Sequence, residues 1–196
     1  SQVDAFKYDG TQFAIPYDWA TAGFYVNLDV LERAGVEVPT ADWTFDQLLE
    51  AGQQIKASAP NPDDAWGFYF PVLSHNTGWI VKSFGGEQFT TDPLTSRFDD
   101  PNTIAAYQFL YDAIHTHKVM PNPAAMQGLG LDQQTAFASS LLGIMWSLND
   151  EAFVFGEIVG DKAAWTVAPT PRGTAGRFQF AGGSGFSIPR TAAFPE

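Results

Sequence analysis

At 196 residues the chain can bury a real core without a disulfide or metal staple, and its length fits one large domain more naturally than two small ones. Ten lysines and arginines stand against 22 acidic residues, a net charge of -12, which argues against nucleic acid or an anionic membrane as partner because both need local positive charge. Cysteine is absent, so thiolate metal sites and thiol redox chemistry are excluded. No apolar run reaches the roughly 18 residues of a membrane span, and no charged-then-apolar leader opens at Ser1. The expectation is a cytoplasmic protein or one whose targeting segment has been lost. Aromatics make up 15% of the chain against 16% charged residues, a balance that suits a pocket for a ligand with flat apolar faces.

Short apolar runs alternate with helical periods. "FAIPY" (13–17) and "AGFYVN" (22–27) read as strands. "LDVLERAG" reads as a short helix stopped by Gly35, with Pro39 beyond. Thr44 opens a second helix with Gln47 three residues on, a capping-box spacing, and Phe45, Leu48, Leu49, Gly52 and Ile55 fall on one face. "WGFYFPV" (66–72) reads as a strand, "SHNTGW" as a polar loop, and "TGWIVKSFGG" (77–86) as a helix closed by Gly85 and Gly86. A long helix starts with Asp100 as cap and Pro101 in the first position. It carries Ile104, Tyr107, Leu110, Tyr111 and Ile114 on one side and ends near Lys118. "LDQQTAFASS" then reads as a helix, "LLGIMWSLN" as a strand, "DEAFVFGEIVG" as a helix, "AAWTVAPTP" as a strand, and "RFQFAGGSGFSIPR" as a last strand broken by glycines. Interleaved strands and helices predict an α/β architecture.

Catalytic signals are weak. His115 and His117 sit two apart at a helix end, so they point to different sides and make a poor metal pair. "GGSG" (182–185) comes closest to a nucleophile elbow but leads into more strand rather than a helix. Asp18, Asp150 and Glu151 are candidate carboxylates for a glycoside hydrolase, which needs two facing one another across a sugar. Neither a Walker loop nor a dinucleotide glycine fingerprint is present. What recurs is a loop after a strand that mixes rings with amides or acids: "YDW", "SHNTGW", "WSLND" and "AGGSG". In an open α/β sheet, ligands settle beyond the carboxyl ends of the strands, where four such loops would meet. A sugar fits this chemistry, since its C–H faces lie against rings and its hydroxyls pair with Asp, Asn, Ser and backbone groups.

The ordered set of "FAIPYDWATAGFYVNLDVLERAGVEVP", "DWTFDQLLEAGQQIK", "WGFYF", "FGGEQF", "DDPNTIAAYQFLYDAI", "FASSLLGIMWSLND", "VAPTPRG" and "FAGGSGFSIPR" resembles the extracellular solute-binding proteins of ABC sugar importers, the maltose-binding-protein-like family. Ser140, Gly143 and Ile144 depart from that family's usual Gly, Ala and Met. The resemblance implies a type II periplasmic-binding-protein-like fold, with a mixed sheet flanked by helices and two lobes closing on a ligand. Residues 1–196 would form a single lobe, the second, with hinge crossings near 13–18 and 181–190 and the first lobe missing. It implies no catalysis, no cofactor and no metal. The expected function is capture of a carbohydrate for the membrane permease subunits of an importer, by a monomer that binds no nucleic acid. Its place would be periplasmic or extracellular, with a lipid anchor to the cell surface as one mode of attachment. The implied ligand contacts are Tyr17, Asp18, Trp19, His75, Asn76, Thr77, Trp79, Trp146, Asn149, Asp150, Gly182, Gly183 and Ser184, with Trp19, Trp79 or Trp146 as stacking face. The same fold binding a polyamine, peptide or chelate, and a glycoside hydrolase domain, are the alternatives.

Overall fold

The computed structural model describes residues 1–72, 74–122, 124–125, 132–149 and 151–193, with the side chains at 74–76 and 154 outside that description. In chain order its elements are β1 (Lys7–Tyr8), β2 (Thr11–Gln12), β3 (Ile15–Pro16), β4 (Ala20–Asn27), α1 (Leu28–Ala34), α2 (Phe45–Ser58), β5 (Trp66–Tyr69) and α3 (Ser74–Ser83). There follow β6 (Phe89–Thr91), β7 (Leu94–Ser96), α4 (Pro101–Tyr111), α5 (Gln133–Ala138), β8 (Leu142–Leu148), α6 (Ala152–Val159), β9 (Trp165–Ala168), β10 (Ala181–Gly182) and β11 (Gly185–Phe186). The chain divides into two compact units, one of Ser1–Thr21 with Ala181–Glu196 and the other of Ala22–Phe180.

The larger unit is built on a mixed sheet. β4 pairs antiparallel with β8 on one side and β9 on the other, and β5 lies parallel to β8. Side chains alternate along β4 and the end of β8, so that Phe24, Val26, Ile144 and Trp146 enter one buried cluster and Tyr25 and Met145 a second; Phe68 joins the first, and Trp66 and Leu142, at the strand starts, the second. Both faces are therefore covered, the first by α1, α2, α3 and α4, whose apolar residues share its cluster, and the second by α5 and α6.

Local chemistry sets the helix ends. Asn27 Oδ1 accepts from Val30 N at 3.1 Å to start α1, and Gly35 stops it at φ 67, a left-handed conformation that glycine adopts without cost. Thr44 and Gln47 close the capping box of α2. That helix buries Phe45, Leu48, Ala51, Gly52 and Ile55. At Gly67 a Cβ would stand 2.2 Å from Gly52 Cα, so α2 lies backbone to backbone on β5, a contact only two glycines allow.

Three expectations shift. α3 begins at Ser74, so "SHNTGW" is the first turn of a helix and not a loop; Ser and Asn favour a helix's first positions as readily as a turn. α4 has the expected Asp100 cap and Pro101, but buries Thr103, Ala106 and Leu110, and the following π-helical turn (Asp112–Thr116) buries Ala113; Ile104 and Tyr111 are exposed. The reason is close approach: a Cβ on Gly86 would sit 2.6 Å from Thr103 N, which leaves room only for the small-residue side of α4. The hairpin β6–β7 lies where no strand was expected.

The smaller unit consists of short ladders. β1 and β2 form a hairpin whose central Asp9 and Gly10 have φ 47 and 73, the conformation an Asp-Gly turn favours. β3 pairs with β11, and Ala20 and Thr21, the first residues of β4, pair with β10. Phe13, Ile15, Tyr17, Phe186 and Ile188 are exposed in this unit.

Candidate functional site

In the smaller unit the "YDW" segment and the "GGSG" segment meet. Tyr17 N donates to Ser184 O at 3.1 Å, and Ser184 N donates to Asp18 Oδ1, so the two segments are tied by a bond from each side. Gly183 fits against this junction only because it lacks a side chain: a Cβ there would stand 2.3 Å from Asp18 O and 2.9 Å from the Trp19 ring. The Tyr17 and Phe186 rings pair at 4.7 Å. Asp18 is exposed, and the Tyr17 and Trp19 side chains are 58% and 36% exposed. Gly182 pairs with Ala20 in the β10–β4 ladder. An acid with one oxygen fixed by a backbone N–H, flanked by two open rings, offers a hydrogen-bond acceptor beside apolar faces.

In the larger unit, positions 75–77 and Asn149 follow the carboxyl ends of two neighbouring strands. Because β5 and β8 are parallel, their carboxyl ends share one edge of the sheet; α3 follows β5 and α6 follows β8 there. This is the edge at which open α/β sheets take ligands. The first turn of α3 contains positions 75–77, and the turn after β8 leads through Asn149 to α6. The side chains of His75 and Asn76 and the whole of Asp150 lie outside the described residues. Asn149 is exposed. Ser147, buried in β8, donates its hydroxyl to Glu151 Oε2, which holds the turn between strand and helix.

Three expected contacts have other surroundings. Thr77 is buried, and its hydroxyl stands within hydrogen-bond distance of Gln88 Nε2 (3.1 Å) and Tyr107 OH (3.3 Å). Trp79 is 5% exposed, with the rings of Phe24, Phe45 and Phe70 at 6.2, 6.0 and 6.0 Å. Trp146 is 4% exposed, opposite Phe24 in the β4–β8 ladder and edge-on to Phe180. The physical reason is that β8 is covered on both faces, so Trp146 is buried on whichever side it alternates to, while Trp79 lies on the side of α3 that packs into the cluster shared with α1, α2 and α4. Of the three tryptophans expected to stack, Trp19 alone has its ring open to solvent.

Phe153 was not anticipated. It lies in the first turn of α6, which follows the carboxyl end of β8, and is 81% exposed. The signal was present in the periodicity: Phe155 and Val159, four apart, define the buried side of α6, and Phe153 lies about 200° around the helix from Phe155. Glu151 and Asp18, two of the acids considered for a glycosidase, belong to different units, and each has a hydrogen-bond partner in its own.

A mixed sheet covered by helices on both faces, with a helix following the carboxyl end of each strand of its parallel pair, has the α/β architecture of a type II periplasmic-binding-protein fold. An ABC substrate-binding protein of Listeria monocytogenes, solved with cycloalternan, matches 98% of this chain and 47% of its own at a TM-score of 0.85 and 23% identity. A Mycobacterium tuberculosis protein solved with glycerophosphocholine matches 98% of this chain and 46% of its own, at a TM-score of 0.80 and 20% identity. The family model described as bacterial extracellular solute-binding protein matches residues 1–196, and the chain belongs to that family. The maltotriose-binding protein of Pyrococcus abyssi is 27% identical over 194 residues, 92% of this chain and 39% of that protein. The arabinooligosaccharide-binding protein of Halalkalibacterium halodurans is 25% identical over 124 residues, 61% of this chain and 26% of that protein. The chain thus spans well under half the length of these curated relatives.

Proposed function

We propose that this chain forms part of the substrate-binding component of an ABC importer, which captures a carbohydrate without chemical change and delivers it to membrane permease subunits. The observation that carries the reading is the Asp18–Ser184 junction. It presents a carboxylate between the open rings of Tyr17 and Trp19 in a chain whose family relatives include maltotriose-, arabinooligosaccharide- and lactose-binding proteins. Asp18 would accept from sugar hydroxyls, and Trp19 would supply a stacking face in one unit. Phe153 would supply another in the larger unit, for which His75, Asn76, Asn149 and Asp150 are the further proposed contacts. Gly183 would let the backbone at Ser184 approach the ligand closely. Segments 13–18 and 181–190 would be the hinge crossings between this lobe and a second one. Capture would shift the population toward a closed state that the sugar touches from both sides. The protein would act as a monomer on the outer side of the cytoplasmic membrane.

A thermal-shift screen of the full-length protein tests this. Maltotriose, arabino-oligosaccharides or lactose at about a hundred times Kd should stabilise the folded state by about 2.7 kcal/mol. If every sugar leaves the midpoint unmoved while a polyamine raises it, the carbohydrate reading fails and the carboxylates acquire the polyamine role. Turnover of a chromogenic glycoside, lost in Asp18→Ala, would overturn the non-catalytic reading.

A further inference from the structure

The hydroxyl of Thr77 belongs to a triangle of hydrogen bonds. Gln88 Nε2 donates to Thr77 Oγ1 at 3.1 Å and to Tyr107 OH at 2.7 Å, and the two hydroxyls lie 3.3 Å apart. Three elements converge on it: the first turn of α3, the segment leading into β6, and α4. The segment carrying Gln88 is itself clamped. Thr103 Oγ1 accepts from Glu87 N at 3.0 Å and donates to Glu87 O at 2.9 Å, and Gly86 lies against the Thr103 backbone where no side chain fits. On the α3 side, Gly78 makes room for the Gln88 amide, since a Cβ there would stand 3.3 Å from Gln88 Oε1. The Tyr107 ring is fixed by stacking on Phe98 at 5.6 Å.

A half-buried amide held from below by a threonine clamp and reaching into a helix's first turn is more than that helix needs to form. α3 ends with its own cap at Gly85 (φ 86) and buries Ile80 and Val81 in the core, which anchor its later turns. The triangle acts instead on the one turn, 74–77, that stands at the carboxyl end of β5. We infer that Gln88 and Tyr107 are positioning residues for ligand binding. They fix the axial and rotational setting of the first turn of α3, so that this turn stands at the carboxyl end of β5 in one arrangement. This rests on the carbohydrate-binding reading of that edge. A polar network in a partly dry setting is suited to specifying a single geometry, because each member's position is set by two others and losing one loosens the remaining pair. Neither residue touches ligand in this account. Both lie one layer behind it, and Thr77 moves from the contact set to the supporting set.

Tyr107→Phe in the full-length protein removes one corner and leaves the ring and its stacking on Phe98. Thr77→Val removes a second corner at equal volume, and Thr77→Ser keeps the hydroxyl. Titration with the sugar that raises the midpoint most should show Kd raised about five- to tenfold for Tyr107→Phe and for Thr77→Val, and near wild type for Thr77→Ser. The double variant should fall short of the product of the two. Amide hydrogen exchange at 75–78 should quicken in Tyr107→Phe while the amides of α2 and β8 hold their rates. If wild type binds sugar and all variants bind it equally, the positioning role is overturned and the carbohydrate reading stands, whatever happens to exchange or stability. If wild type binds no sugar, the carbohydrate reading fails and this inference falls with it.

Discussion

Trp19 and Trp146 sit in segments of similar composition, "YDWAT" and "MWSLND", each a ring among small and acidic residues at the end of a strand, yet one ring is open and the other is sealed. The difference lies in what backs them. Trp146 is inside β8, where neighbours on both sides are paired strands and its alternation side is the helix-covered face that also takes Phe24. Trp19 comes before β4 in a unit of two-residue ladders, where a bare glycine, Gly183, is what lies against its ring. An aromatic near a strand end becomes a core residue when the strand continues past it between partners. It stays available to a ligand when the chain turns first.

The strongest way to break this contrast is Trp146→Ala. Deleting a sealed ring between Phe24 and Phe180 should cost about 3–5 kcal/mol, read as a lowered midpoint in urea with an unchanged slope. A loss under about 1 kcal/mol would mean that the ring is not a core element and would return it to the list of stacking faces. Next in size is Gly67→Ala. A methyl directed at the Gly52 backbone forces α2 off β5, and overpacking of this kind costs about 1–3 kcal/mol. The same substitution at Gly156, where a Cβ meets nothing within 4 Å, should be neutral or slightly stabilising and serves as the control for helix propensity.

The helix ends were legible because caps are local chemistry. Asn27 and Gly35, Thr44 with Gln47, and Asp100 with Pro101 all sit where their side-chain and backbone preferences put them. The Asp9-Gly10 hairpin was not anticipated: its turn dipeptide is a local signal, but its two-residue strands are too short to show any alternation. Burial was harder. A strand covered on both faces, such as β8, has a continuous apolar sequence with no period from which to tell which side Trp146 takes. The α4 face was misjudged because its large residues look like core while the contact with Gly86 demands Thr103 and Ala106, a constraint imposed by a residue 17 positions from Thr103. For the site, the "YDW" and "GGSG" segments could be singled out by composition, but the bond from Ser184 N to Asp18 that joins them spans 166 positions, and no local pattern encodes that closure. Thr77 shows the complement: its residue type suits a sugar, and only the positions of Gln88 and Tyr107 show where its hydroxyl goes.

The smallest effect on stability, and the sharpest test of the contrast, belongs to the open rings. Trp19→Ala and Phe153→Ala each remove an exposed side chain, and surface changes away from packed features usually stay within about 0.5 kcal/mol. If these rings stack on ligand, affinity should fall while stability holds. Aromatic contacts are worth about 0.5–1.5 kcal/mol beyond the area they bury, which alone is a two- to tenfold change in Kd, and the buried area adds to it. Trp146→Ala should show the opposite split, with a large loss of stability and, below its unfolding midpoint, a smaller loss of affinity. The pairing of the two measurements is what discriminates, because a ring that matters only for folding lowers stability far more than it lowers the affinity of the folded protein. Should Trp19→Ala lower stability as much as Trp146→Ala, the smaller unit would be packed around that ring and the distinction between an open and a sealed tryptophan would collapse. Should it leave both quantities untouched while Phe153→Ala weakens binding, the stacking face belongs to the larger unit alone, and Asp18 with its tie to Ser184 would shape the turn without touching sugar.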